Sequence, residues 1–185
     1  MRVEFGLALN EKRHDPAAAW ATEKRLAGGI RPDRDRGIRR AGDGRHANMA
    51  LMDARTRGVQ SPGRYRWWLD LETANSWQSS TRNNRADLEG MASYFRHIGA
   101  KVGIYSSASQ WNPIVGTVPP SSPLYRLPDW RPGAKTLAQA KKNCHLAPLT
   151  GGGTVTVTVT QWKTSSANSD FSCPAPPPKA KAKRS

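Results

Sequence analysis

The run from 64 to 106 constrains this chain more than any other stretch. RYRWWLDLE at 64–72 is dense in aromatic residues, closes on two acids, and reads as a short strand. After a polar turn, STRNNRADLEGMASYFRHIGA at 80–100 places Leu88, Met91, Phe95 and Ile98 at offsets of three, four and three. Those offsets trace one face of a helix. Ser80 or Thr81 can cap its start, and Gly99 stands where a left-handed residue ends a helix. VGIYS at 102–106 is a second apolar strand. Strand, helix and strand at this spacing form a βαβ unit, which implies a parallel pair with a right-handed crossover.

The rest of the chain is less regular. The centre of the first segment, GGIRPDRDRGIRRAGDGRH at 28–46, holds two isolated Ile among Gly and Arg, too little apolar surface to offset the entropy of ordering. Residues 1–57 are therefore expected to be an atypical Arg/Gly-rich segment, poorly ordered, with short helices at 16–27 and 47–57. In the second helix Met49, Met52 and Ala50 or Ala54 are available for one face. Residues 112–134 read as a loop with one short strand near Leu124–Leu127, and 135–142 as two helical turns. TVTVTVTQW at 154–162 alternates strictly and predicts a strand with two unlike faces, followed by a last strand at 170–173. PAPPPKAKAKRS at 174–185 is Pro-rich and basic, and is expected to be extended and disordered.

The 185 residues suit one domain with its own core. No run approaches a membrane span, and the first residues do not read as a secretory signal. A formal charge of +15, with a pI near 10.6, points to a polyanionic partner without choosing among nucleic acid, membrane surface and wall polymer. That charge is spread as +5 over 1–57, +6 over 58–173 and +4 over the tail, not gathered in one patch. No zinc-finger spacing, heptad or RNP-like run accompanies it, so a specific nucleic-acid site is not expected.

Asp70 and Glu72 form a D-x-E pair at the end of the first strand. Residues i and i+2 of a strand share a face, and in parallel α/β sheets ligands bind at the carboxyl ends of strands. Two adjacent acids can push their pKa values apart and leave one protonated as a general acid, the chemistry of glycoside hydrolysis. The plain alternative is a pair of solvated strand-end groups or helix caps. Trp67 and Trp68 are neighbours on the strand and must point to opposite faces. Trp77, in the loop after the acids, is the better candidate for ligand contact. The four His, at 14, 46, 97 and 145, show no metal-ligand spacing, and no cofactor motif is present. Ser106, Ser107 and Ser109 lack a G-x-S-x-G elbow. Gly151–Gly153 precedes a strand, whereas a phosphate loop opens a helix. Cys144 and Cys173 flank the Thr/Val strand and are expected to be bonded, which argues for an oxidising compartment.

Together, WWLDLETANSW, the helix with NRADLEGM and VGIYSSASQWN resemble the glycoside hydrolase family 25 lysozymes, closest to secreted actinobacterial proteins with such a domain. QW at 161–162 and SDFSCP at 169–174 look like that family's final strands. The resemblance covers about 58–173. It implies a (β/α) TIM-type barrel that cleaves the β-1,4 bond between N-acetylmuramic acid and N-acetylglucosamine, without a cofactor, in the extracellular space or cell envelope. It places the general acid at Glu72, a charge-stabilising partner at Asp70, and a third cleft acid at Asp170. Tyr105 and Trp111 then line sugar subsites, with Trp162 on the late strand beside them. Peptidoglycan or a related glycan is the implied partner, anionic wall polymers a further one, and the chain is expected to be a monomer. The family's acidic first strand has no counterpart visible in 1–57. From 58 onward four or five strands can be counted, about half of a barrel that normally takes about 250 residues. The expectation is thus an α/β protein built as a partial or incomplete barrel, whose opening segment stands where a barrel's first half was lost or replaced. A non-catalytic glycan-binding protein is the alternative.

Overall fold

The computed structural model describes residues 2–5, 45–161 and 168–175. Among the described residues the α-helices and strands follow in the order β1 (Arg2–Phe5), α1 (Arg45–Thr56), β2 (Arg66–Asp70), α2 (Thr81–His97), β3 (Lys101–Tyr105), α3 (Ala108–Ile114), β4 (Asp129–Ala134), α4 (Leu137–Asn143), β5 (Val155–Gln161) and β6 (Asn168–Ser172), with one 3-10 turn at Pro62–Arg64 before β2. The strands form a single six-stranded sheet in chain order. Neighbours from β2 to β5 run parallel, while β1 and β6 pair antiparallel at the two edges. The class is α/β with a mostly parallel sheet.

The βαβ unit forms as its sequence requires. The Ser80 hydroxyl accepts from the Asn83 amide at 3.3 Å and caps α2, and Gly99 takes φ +77 after its last turn. Leu88, Met91 and Phe95 are buried, with Trp67, Leu69 and Leu71 of the β2 strand and Val102 and Ile104 of β3 in the same core. Trp67 stacks on Phe95 at 4.7 Å, and its indole N–H donates to the Pro62 carbonyl at 3.1 Å. Each large side chain buried this way contributes about 1.5–3 kcal/mol. Asn84, buried on α2, fastens the layers. Its amide donates to the carbonyls of Gln78 and Ile114, both at 3.0 Å, and its oxygen accepts from the Gln78 amide.

Several expectations need correction. In α1 the buried face is Ala47, Leu51 and Ala54, whereas Met49 and Met52 are 51% and 50% exposed. The small Ala side chains let α1 lie close to α2, where Tyr94 donates to the Asn48 side chain at 2.7 Å and His46 meets Asp87 at 3.3 Å. A strand is present at Arg2–Phe5, where none was visible in the sequence. Helix α3 was missed. Its signal is the capping box of Ser107 and Gln110, whereas the sequence reading weighed these serines only as nucleophiles and began a loop at 112, inside the helix. The strand expected near Leu124–Leu127 lies instead at Asp129–Ala134, and the two Leu are core anchors in turns. Pro132 and Gly133 disguised it. They are tolerated because the pairing with β5 shifts register between Arg131 and Ala134, and Gly133 takes φ +104.

Helix α4 and strands β5 and β6 fall where the alternation and helix patterns placed them. Cys144 and Cys173 are bonded, with Cα atoms 5.5 Å apart, tying the end of α4 to the end of β6. Gly151 and Gly152 lie under the Tyr125 ring, where an added Cβ at Gly151 would come within 2.8 Å, so the Gly run serves a close approach. The expected helix at 16–27, the Arg/Gly-rich centre up to residue 44, and the tail from 176 lie outside the described residues.

Candidate active site

The two faces of the sheet differ in character. Trp67, Leu69 and Leu71 point to the helices, so Trp68 and Asp70 point the other way. Register carries that second face across the sheet: Asp70 lies beside Tyr105, Tyr105 beside Trp130, and Trp130 beside Val157. Val157 pairs with Ser172, and Asp170 two residues earlier shares its side of β6. One face thus carries Trp68, Asp70, Tyr105, Trp130 and Asp170. Trp130 sits edge-on to Trp68 and to Tyr105, both at 5.3 Å, and the Arg66 guanidinium lies 5.6 Å from the Trp68 ring centre. Gly103, beside Trp68, is what lets that indole lie across β3.

The backbone of the D-x-E segment is fixed carbonyl by carbonyl. The Asn75 side chain donates to the Asp70 carbonyl at 3.3 Å, and the buried Ser106 hydroxyl to the Leu71 carbonyl at 2.7 Å. The Trp77 indole donates to the Glu72 carbonyl at 2.8 Å, which also accepts from the Asn75 amide at 3.0 Å. The Leu71 amide donates to the Tyr105 carbonyl, extending the parallel pairing beyond Asp70. Such pinning removes the freedom a strand end ordinarily has, and holds Glu72 at the mouth of the β2–β3 pair. Asp70 is 1% exposed, whereas Glu72 is half-buried.

Asp170 and Asp129 are displaced from the ordinary carboxylate range. Asp170 is pushed up to about 6 by burial of its carboxyl, against the opposing effect of a hydrogen bond from Trp130, although the residue as a whole is exposed. Asp129 is also raised to about 6 by burial, opposed by the Leu149 amide at 2.6 Å and by Arg131. Asp129 sits beside Ile104 on β4, and Arg131 lies 3.9 Å from it while donating to the Ala147 carbonyl. That pair anchors the 147–149 loop. It belongs to the scaffold.

The expected site residues therefore divide. Asp70, Tyr105 and Asp170 lie on one face, and Glu72 ends the same strand. Trp77 is spent on the Glu72 backbone, packed against the helix-side core. Trp111 is 2% exposed in that core, donating to the Gly116 carbonyl at 2.9 Å, and is not brought to the acidic face. Trp162 lies outside the described residues. Trp68 and Trp130 were not singled out for the site. Alternation from Asp70 back to Trp68 would have found the first, while the flanking prolines of PDWRP hid the second. Among the described residues, no three His, Cys, Asp or Glu converge as metal ligands. A surface hollow of about 670 Å³ lies at the opposite end of β2 beside Ser61–Arg64 and Gly99, away from the carboxylates.

Residues 53–130 match the family model of lysozyme-like protein 1. This lysozyme-like stretch contains Asp70, Glu72, Tyr105 and Trp130. Over 49 residues the chain is 45% identical to probable GH family 25 lysozyme 4 and 43% identical to probable GH family 25 lysozyme 2, both of Dictyostelium discoideum. It is 45% identical, again over 49 residues, to lysozyme-like protein 5 of Caenorhabditis elegans. Each alignment takes in 26% of this chain, and the chain spans less than a quarter of the length of these relatives, 22%, 23% and 22%. No solved structure matches the chain significantly.

Proposed function

We propose that this protein is a peptidoglycan-directed glycoside hydrolase of the muramidase type. The D-x-E pair carries the reading: it ends a parallel strand, in a backbone pinned at three successive carbonyls, within the lysozyme-like stretch. Glu72 is the general acid that protonates the leaving oxygen. Asp70, buried beside it, stabilises the positive charge developing on the sugar, and Asp170 is the third acid of the cleft. Half-buried Tyr105 supplies the aromatic surface that a sugar face packs against, with the buried Trp68 and Trp130 supporting it from behind. The chain-order sheet with helices on one face supports a barrel segment as the ancestral architecture. The cystine and the substrate class favour work outside the cell or in its envelope, with the positive surface aiding contact with anionic wall polymers. No described helix is long and apolar enough to cross a membrane.

The burial of Asp70, 1% exposed, favours a second reading in which the face binds glycan without cleaving it. Release of reducing sugar from purified peptidoglycan, by wild type and by Glu72→Gln, separates the two. Hydrolysis is expected from the wild type and a loss of at least about 100-fold from the variant, the contribution of a general acid. Equal binding by both proteins with no release from either selects the binding module.

A further inference from the structure

Two turns of the chain wall the hollow at the start of β2. After α1, with Gly58 at φ +82, the Val59 amide donates to the Ala54 carbonyl at 3.0 Å and the chain folds back into the 3-10 turn Pro62–Arg64. The Trp67 indole holds that turn against β2 through the Pro62 carbonyl at 3.1 Å. The facing wall is the end of α2, so close that a Cβ at Gly63 would lie 3.8 Å from the Ile98 oxygen. Arg55 and Arg64 line this space of about 670 Å³ with Gln60 and Ser61, all four exposed. Among the described residues no carboxylate lines it, and neither Arg has an acidic partner. Asp53, two residues before Arg55, is bonded to Arg57 at 2.8 Å. The Ser61 side chain makes no capping bond to the turn it precedes.

We propose that this hollow binds the phosphodiester groups of a polyol-phosphate chain, an anionic polymer of the cell wall. Helix dipoles account for the cations that end α1 and α2, Arg55 and Arg96, but not for Arg64 on the turn between them. Guanidinium forks pair with phosphate oxygens through two parallel hydrogen bonds. Among the described residues the lining holds no aromatic ring, so a nucleic-acid base finds nothing to stack on. Charge and hydrogen bonding are what the hollow recognises, and a repeating phosphate without bases presents only those. The site lies at the opposite end of β2 from Asp70 and Glu72, so a chain held there leaves the acidic face open. The hollow and its charge stand apart from the hydrolase reading; the choice of a wall polymer among polyanions rests on it.

The test is calorimetric titration of the full, oxidised chain with poly(glycerol phosphate), at about 50 and about 200 mM salt. Arg55→Gln combined with Arg64→Gln should weaken binding about 25-fold at the lower salt, roughly fivefold for each cation removed. The fall of affinity with salt should also become shallower. Both side chains are exposed, so the unfolding midpoint should stay at the wild-type value. Arg82→Gln combined with Lys135→Gln removes the same charge at the other end of the sheet, where α2 starts and β4 ends. Beyond a Debye length of about 10 Å that loss is screened, and affinity should change less than about twofold. Equal losses in the two double variants overturn the proposal, because binding then follows net charge. So does a wild type that does not bind, or an affinity unchanged without Arg55 and Arg64. Tighter binding of a single-stranded DNA oligonucleotide through the same two Arg overturns the polymer named. Each readout is binding and none is turnover, so failure of this site and failure of the hydrolase reading are told apart.

Discussion

Gly103→Ala tests the aromatic face through stability. Gly103 pairs with Trp68, and an added Cβ would come 2.6 Å from Cε3 of that indole and 2.9 Å from the Pro128 carbonyl oxygen. Neither neighbour can retreat at low cost. Trp68 is 2% exposed and wedged between Arg66 and Trp130, and the Pro128 carbonyl accepts from the Ile104 amide at 2.9 Å. Overpacking of a filled core costs about 1–3 kcal/mol, and a backbone wall on one side puts this site at the upper end. The reduced freedom of Ala in the unfolded chain returns about 0.4–1 kcal/mol. The net loss is about 2 kcal/mol, or roughly 4–8 °C in Tm for a chain of this size. Urea unfolding followed by tryptophan fluorescence reads it directly. Gly63→Ala is the control, because its nearest atom would be the Ile98 oxygen at 3.8 Å, and it should move stability by less than about 0.5 kcal/mol. Equal midpoints for the two variants would refute the claim that Trp68 reaches Trp130 only because position 103 has no side chain.

Reduction of the Cys144–Cys173 bond, which closes a separation of 29 residues, should lower stability by roughly 3–4 kcal/mol in the chain-entropy view; unfolding midpoints with and without reductant check it, and identical values would show that β6 is held by its ladder alone. Asp129, raised to about 6 by burial, keeps its proton to higher pH in the folded chain than in the unfolded one. Its contribution is therefore greatest below about pH 4 and is lost as pH rises through 6, by up to roughly 3 kcal/mol. Asp129→Asn should flatten that part of the stability–pH curve, measured by urea unfolding at pH 4 and pH 7, and an unchanged slope would exclude burial of this carboxyl as its cause.

Legibility in the sequence followed the strength of local signals. The βαβ unit was readable because three independent cues agreed: a helical offset at Leu88, Met91 and Phe95, a cap at Ser80, and a left-handed Gly99. The cystine was readable because two cysteines flank one strand. β4 was not, since its Pro132 and Gly133 belong to a register shift that exists only through pairing with β5. The buried face of α1 was misread because two large Met attract an apolar assignment, while the packing against α2 selects the smaller Ala47 and Ala54 beside Leu51. The D-x-E pair was visible from its spacing. Its pinning by Asn75, Ser106 and Trp77 was not, because all three donors act through backbone carbonyls and leave no pattern in the chain.

The separation of the acids decides how the proposed chemistry is shared. Glycosidases place their two carboxyl groups about 5–5.5 Å apart for retention or about 6.5–9.5 Å for inversion. Asp70 and Glu72, two residues apart on an extended chain, have Cα atoms about 6–7 Å apart and can meet such a spacing without help from the rest of the fold. Asp70 and Asp170 lie four strand spacings apart, about 19 Å of sheet path. Twist alone does not close that distance. Across that separation Asp170 acts through its charge and is no proton-transfer partner of the D-x-E pair. The D-x-E pair is then the reacting unit and Asp170 an electrostatic third. A binding module would not need the pinned carbonyls, because stacked rings hold a sugar without them. That pinning weighs toward the hydrolase, against the burial of Asp70 that weighs toward the binder.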